Sequence, residues 1–346
     1  MHMADALLSP TVGGGFWAGT IGVIVYAARR LKERIDERLI PLMGVLGAFV
    51  FAGQMINFTI PGTGSSGHIG GGMLLAILIG PNPAFIVIAS VLTVQALFFA
   101  DDGLLALGCN IWNLGIYPCF IAYPLIYRVI VKDNPTAKRI TIGAILSVVV
   151  ALQLGAFSVV LQTELSGISE LPFSTFVMLM LPLHLAIGVV EGLITAGVVN
   201  YVRVLQPDIV ESTAVTGGGG SLKKAIIAIA VLAVITGGVL SWFASTHPDG
   251  LEWSIERIYG KPELPEGKNG IRVTAAEIQK KTALLPHYGF PSEDKAGKTE
   301  GASQWPAVDP GTSVSGLVGG VIVLVLVSLT GIGLKMLGRK SGHRDI

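Results

Sequence analysis

ITIGAILSVVVALQLGAFSVVLQ, residues 140–162, decides the class of fold. It carries no charged side chain and lies between Lys138–Arg139 and Glu164. As a helix it rises about 35 Å, enough to cross a hydrocarbon layer of about 30 Å. Working outward, apolar runs divided by turn or charge signals recur near 13–28, 39–58, 69–80, 83–100, 111–131, 140–162, 172–202, 222–244 and 314–337. These are nine candidate spans. The third is short and holds Gly70, Gly71 and Gly72, so it reads as tilted, broken or partly re-entrant, and eight is the alternative count. The composition agrees: 51% of the 346 residues are hydrophobic and 14% charged, and mean hydropathy is +0.67. Soluble domains carry about 25% charged residues. A soluble enzyme, a disordered chain and a nucleic-acid binder are excluded. With 24 Lys+Arg against 23 Asp+Glu, no basic field is available for phosphate. The 45 glycines suit closely packed membrane helices.

Positive charge sets the expected orientation. Arg29, Arg30, Lys32, Arg34 and Arg38 follow the first span; Arg128, Lys132, Lys138 and Arg139 lie between the fifth and sixth. Arg203, Lys223 and Lys224 separate the seventh and eighth, and Lys335, Arg339, Lys340 and Arg344 close the chain. With nine spans all fall on one side, while loops 59–68, 101–110 and 163–171 hold no Lys or Arg. The basic side is therefore expected in the cytoplasm, with Met1 outside and the C-terminus inside a prokaryotic cytoplasmic membrane. MHMADALLSP carries Asp5 and no Lys or Arg, the reverse of a signal-peptide n-region. Two blocks follow. Residues 1–210 hold seven spans; a Gly-rich linker covers 211–221; residues 222–346 form a two-span hairpin around a polar outer loop, 245–312, with a short helix expected near 273–283. The fold class is an all-α polytopic membrane protein: a seven-helix bundle plus a two-helix hairpin with an extracytoplasmic loop.

The chemistry-bearing residues cluster on the outer side. A terminal amine, the following amide nitrogen and the imidazole of His2 can chelate one divalent metal through adjacent rings. Nitrogen ligation in a plane suits Cu(II) or Ni(II). His68 sits in NFTIPGTGSSGHIGGG, residues 57–72, a polar segment between two apolar spans. Non-helical backbone at membrane depth survives only when buried in protein or lining a cavity. His68 starts the third span on Met1's side, so the two histidines can meet. His184 and Glu191 lie seven apart in LPLHLAIGVVEGLIT, residues 181–195, on one face turned into the bundle. They are candidate supporting groups for a metal, as is Asn57. Gln54, Gln95, Asp101, Asp102, Asn110 and Asn113 add polar groups at the outer helix ends, with helix capping an equal reading for the two aspartates. HExxH and GxSxG do not occur, and AGKT, residues 296–299, lacks the first glycine of a phosphate loop. Cys109 and Cys119 are too far apart to bridge along one helix.

MHMADALLSP (1–10), FAGQMINFTIPGTGSSGHIGGG (51–72), LTVQALFFADDGLLALGCNIWNLG (92–115) and HLAIGVVEGLIT (184–195) resemble the substrate-capture (S) component, the M protein, of nickel/cobalt energy-coupling-factor transporters. HPDGLEWSIERIYG (247–260) resembles the small N protein of the same systems, fused here behind the linker. The resemblance implies a metal site of the Met1 amine, the His2 amide and imidazole nitrogens, and His68, in a seven-helix bundle with an outside N-terminus. Position 3 is Met3 where relatives commonly have Ile. The implied substrate is Ni(II) or Co(II), with no resident catalytic cofactor. The implied partners are a transmembrane coupling (T) protein and two cytoplasmic ATPase subunits, which hydrolyse the ATP. The alternative is a self-sufficient divalent-cation secondary transporter or channel. It needs an acidic path across the bilayer, and few mid-membrane carboxylates exist beyond Glu191.

Overall fold

The computed structural model describes residues 2–33, 35–132, 135–205, 219–265, 270–290 and 306–342, and every structural statement concerns these. Met1, residues 211–218 of the expected linker, AGKT and His343 lie outside them.

Helix α1 (Pro10–Lys32) starts where the Ser9 hydroxyl accepts the Val12 amide and Pro10 opens the first turn. It ends on Arg29, Arg30 and Lys32, which suit the negative end of its dipole. Helix α2 (Leu39–Gln54) is apolar and buried almost all round, so it forms the centre of the bundle. A small antiparallel hairpin, β1 (Phe58–Ile60) and β2 (Ser65–Gly67), leads to α3 (Gly72–Ile79). Helix α4 (Pro81–Phe99) closes with a π-helical turn, and α5 (Leu107–Val131) is π-helical over Trp112–Tyr127 around Pro118 and Pro124. Each proline removes a ladder hydrogen bond and widens the helix. Helix α6 (Ala137–Ser166) begins at a Thr136 cap and stops at Gly167, φ 60°, before α7 (Phe173–Leu205) returns beside it.

Six helices are long and apolar enough to cross a membrane: α1, α4, α5, α6, α7 and the last helix. Outward stripes of Ile142, Leu146, Val150, Phe157 and Leu161 on α6 and of Leu185, Val189 and Leu193 on α7 are exposed, as a lipid-facing surface requires. The protein is an all-α, multi-pass membrane protein. The third apolar run, read as tilted, broken or partly re-entrant, forms α3, eight residues with about 12 Å of rise, buried throughout. It does not cross a bilayer by itself. Gly80, φ 82°, ends it and Pro81 starts α4 at once.

The remaining helices are α8 (Gly219–Gly238), α9 (Gly250–Tyr259), α10 (Gly270–Thr282) and α11 (Pro310–Gly342). Helix α8 begins inside the expected linker. The expected single helix of the outer loop is α10; α9 adds a second. Helices α8 and α11 cross where a Cβ on Gly316 would lie 2.4 Å from the Gly237 carbonyl oxygen. Glycine there lets the backbones touch. Helix α11 packs on α2 at Gly44 and Gly47, so the C-terminal hairpin is part of the bundle. At one end, Lys335 of α11 meets Glu37 beside the basic end of α1. At the other, the N-terminal segment, the β-hairpin and α9–α10 converge.

Candidate metal site

The N-terminal segment is pinned before it reaches α1. The Met3 N–H donates to Asn110 Oδ1 at 2.9 Å, and Asn110 Nδ2 donates back to the Met3 carbonyl at 3.2 Å. The Met3 side chain is fully buried, and Asp5 Oδ1 accepts the Ala106 N–H at 2.9 Å. This clasp fixes the backbone next to His2. The His2 side chain, 10% exposed, projects between Asp101 and Asp102. Its Nδ1 lies 3.3 Å from Asp101 Oδ2 and 3.4 Å from Asp102 Oδ1, while Nε2 is buried without a hydrogen-bond partner. One ligand atom from each of the three residues falls within 4.8 Å of the others.

The loop carrying His68 is held from below by the membrane helices. Glu191 of α7 accepts the Gly70 N–H at 2.8 Å through Oε2 and the Gly71 N–H at 2.9 Å through Oε1. Gln54 Nε2 donates to the Gly70 carbonyl at 2.9 Å, and Gln95 Nε2 donates to Gln54 Oε1 at 2.9 Å. The loop thus bridges α7, α2 and α4. Gly71 is required: its φ is 76°, and a Cβ would lie 2.5 Å from Val50. The outcome is a His68 ring whose centroid is 4.7 Å from that of His2. Two histidines 66 positions apart in sequence become ring neighbours.

The C-terminal module closes the site from above. Ser245 N–H donates to the Asn57 carbonyl at 2.7 Å, and Ser66 N–H donates to the Pro248 carbonyl at 2.8 Å. Ser66 and Asp249 form a parallel bridge. Asp249 caps α9, its Oδ1 accepting Leu251 N–H at 2.8 Å and Glu252 N–H at 2.9 Å, and Glu252 Oε2 accepts the Asp249 N–H at 3.0 Å. This capping box leaves Asp249 Oδ2 4.0 Å from His68 Nε2. Tyr288 stacks on Phe99, centroids 5.0 Å apart, and its hydroxyl donates to Asp101 Oδ2 at 2.6 Å.

Charge and burial set the protonation. Burial, then the charge of His2, pushes the His68 imidazole down to about 3, so it is neutral near pH 7. Burial would lower His2 as well, but Asp102 and Asp101 outweigh it and raise His2 above its ordinary value. Burial pushes the Asp102 carboxyl up to about 7. Burial opposes ionisation of Asp249 too, yet neighbouring positive charge and the Glu252 N–H hold its carboxyl below the usual carboxylate range. The pocket is a set of nitrogen and oxygen donors, of which a protonated His2 would have to lose a proton to hold a metal.

Of the residues singled out in the sequence, His2 and His68 are brought together and Glu191 holds the loop between them. His184 is buried on the same face of α7, its Nδ1 2.8 Å from the Met180 carbonyl, and it lines a cavity with His68, Asp249 and Gly250. Asn57 meets the C-terminal module through its carbonyl and not the histidines. Asp101 and Asp102 do not cap a helix: the residue before α5 is Ala106, and the two carboxylates flank His2. Asn113 pairs with Gln162 of α6 at 2.9 Å. The sequence reading missed Asp249 and Tyr288. The D-x-x-E spacing of 249–252 signals the cap, but nothing local places it beside His68.

Residues 2–209 match the family described as the cobalt uptake substrate-specific transmembrane region, CbiM. The chain belongs to this family. Residues 223–336 match the PDGLE domain, and Pro248–Glu252 spell its signature. Over 330 residues the chain is 33% identical to the "Putative fused nickel transport protein NikMN" of Archaeoglobus fulgidus, covering 94% of this chain and 96% of that one. It is 28% identical over 230 residues to the cobalt transport protein CbiM of Geobacter sulfurreducens, covering 64% of each. A solved structure titled as a transition metal transporter superposes with a TM-score of 0.53 at 31% identity, covering 61% of this chain and 96% of that one. These relatives are named as metal transport proteins. The CbiM region contributes His2, His68, Asp101 and Glu191, and the PDGLE region contributes Asp249 and Tyr288.

Proposed function

We propose that this protein captures Ni(II) or Co(II) at the outer end of the bundle and serves as the substrate-binding component of an ATP-driven transporter. The donors are the Met1 amine, the His2 amide and imidazole, and His68. Glu191 and Asn110 hold the two backbone segments in place, and His184 supports the floor of the site. The observation that carries this reading is the 4.7 Å approach of the His2 and His68 rings at the outer end of the bundle. Neutral imidazole is a ligand for divalent first-row metals, and a nitrogen-rich set suits Ni(II), with Co(II) close behind. Among the described membrane helices Glu191 is a buried carboxylate, and both its oxygens are occupied by Gly70 and Gly71. That argues against an acidic ion path and for a partner-driven mechanism. Residues 1–210 form the binding module and 222–346 the module that covers it. The basic end of the bundle faces the cytoplasm, where a transmembrane coupling protein and two ATPase subunits supply the energy. Metal analysis of purified protein tests the site: His68→Ala loses bound metal, while His287→Ala, on the exposed surface, keeps it. Equal occupancy in both variants refutes the site. Uptake into vesicles by this chain without the ATPases refutes the partner-driven mechanism.

A further inference from the structure

We propose that Asp101 and Asp102, with the His2 imidazole, form an entry site that takes a hydrated divalent cation from outside and passes it to the nitrogen chelate. The proposal rests on the chelate read above for the ion's destination only.

Two carboxylates converge on one ring nitrogen. His2 Nδ1 lies 3.3 Å from Asp101 Oδ2 and 3.4 Å from Asp102 Oδ1. An N–H at that nitrogen serves one acceptor well, and two anions side by side repel, so an ion pair with a protonated His2 accounts for one aspartate and not for both. Neither oxygen of Asp102 has a hydrogen-bond partner among the described residues, although its side chain is fully buried. A carboxylate stranded in that way marks a place for an ion or a water. The spacing admits an ion: metal–nitrogen and metal–carboxylate bonds of about 2.0–2.2 Å, as for zinc, span these two separations at angles of about 100–115°. Hydrogen bonds build the spacing in. The Gly103 N–H donates to the Met3 carbonyl at 3.3 Å, Gln279 donates to the Asp102 carbonyl, and the Tyr288 hydroxyl holds Asp101 Oδ2 at 2.6 Å. The Asp101 side chain is 27% exposed against 10% for His2 and none for Asp102, so water reaches the cluster past Asp101.

The donor types give the order of events. Carboxylate oxygen replaces water on a divalent first-row ion directly, whereas the His2 amide must lose its proton before it binds. The ion is held first by His2 Nδ1, Asp101, Asp102 and its remaining waters. The Met1 amine, the His2 amide nitrogen, whose proton passes to water, and His68 then displace the two oxygens, and Nδ1 stays bound throughout. The finished chelate keeps four nitrogens and no carboxylate.

Manganese(II) isolates the first step, because it favours carboxylate and water ligands and stands lowest in the divalent series. The full chain in detergent is titrated with Mn(II), with bound ion read by electron paramagnetic resonance. It is then mixed rapidly with Ni(II) while the absorption of the nickel chelate grows in. In Asp102→Ala, Mn(II) affinity is expected to fall at least ~10-fold, the loss that even an outer partner of a metal ligand produces. Nickel loading slows by a similar factor, while the nickel dissociation rate and final spectrum stay those of wild type. His68→Ala keeps the Mn(II) affinity and loses the nickel chelate. Unchanged Mn(II) affinity or an unchanged loading rate in Asp102→Ala overturns the proposal. So does loss of the final nickel spectrum in that variant, which makes Asp102 part of the finished site or of the fold, and so does an equal loss of Mn(II) in His68→Ala. If His68→Ala forms the nickel chelate as wild type does, the chelate reading fails, and the manganese titration of Asp102→Ala still decides the entry site.

Discussion

Replacing Glu191 by Gln isolates the device that sets the ligand loop. The carboxylate accepts two backbone N–H groups, from Gly70 and Gly71, at 2.8 and 2.9 Å, and its residue is 3% exposed. Hydrogen bonds to a charged acceptor contribute about 1.5–3 kcal/mol each. Gln keeps one carbonyl acceptor and turns its amide N–H2 toward the other N–H, so one such bond is lost. The loop conformation that places His68 therefore weakens by about 2 kcal/mol. Every 1.4 kcal/mol is tenfold, which makes the metal affinity about 30-fold weaker. Calorimetric titration with Ni(II) measures it. If Glu191 acts through His68, its effect disappears once His68 is gone: in a His68→Ala background, Glu191→Gln changes the residual affinity by less than about twofold. An unchanged affinity in the single variant, or a 30-fold loss that persists without His68, refutes the reasoning.

Two further predictions concern the amino terminus and protons. Extending the chain before Met1 converts the α-amine into an amide and removes a ligand; because Asn110 clasps Met3, the segment has no slack to present a substitute. An uncleaved N-terminal fusion is therefore expected to purify without metal, and full occupancy would refute the chelate. Acid is expected to release the ion as pH falls from about 7.5 to about 4.5, because His2 must deprotonate to bind and its pKa is raised, chiefly by Asp102 and Asp101 against the effect of burial. Asp101→Asn removes part of that charge, lowers the His2 pKa and moves the release toward lower pH, as metal retention against pH would show; a release that stays put or moves upward excludes His2 as the controlling group.

Much of the architecture is legible along the chain, because membrane crossing is a local property. A run such as 140–162 must be a helix in lipid, where every backbone polar group needs an internal partner. The two histidines are legible for a similar reason: a polar glycine-rich segment beside an apolar span needs a cavity, and His68 marks it. Length is local as well, and the glycines of the third run mark it as too short for a full crossing. In the apolar run 69–80, Gly71, at φ 76°, and Gly80, at φ 82°, bound a helix of eight residues.

The site's second half depends on distance in sequence. Asp249 lies 181 positions from His68 and reaches it only because α8 and α11 pack on the bundle and Ser66 bonds to the 247–248 backbone. Asp101 and Tyr288, 187 positions apart, meet by the same closure. Composition and periodicity determine which segments enter the membrane and which face each presents, since both follow from burying apolar area and satisfying local hydrogen bonds. Which polar groups converge at the outer end of the bundle is decided by the tertiary packing, because backbone clasps and helix crossings far apart in the chain set those distances to within an ångström.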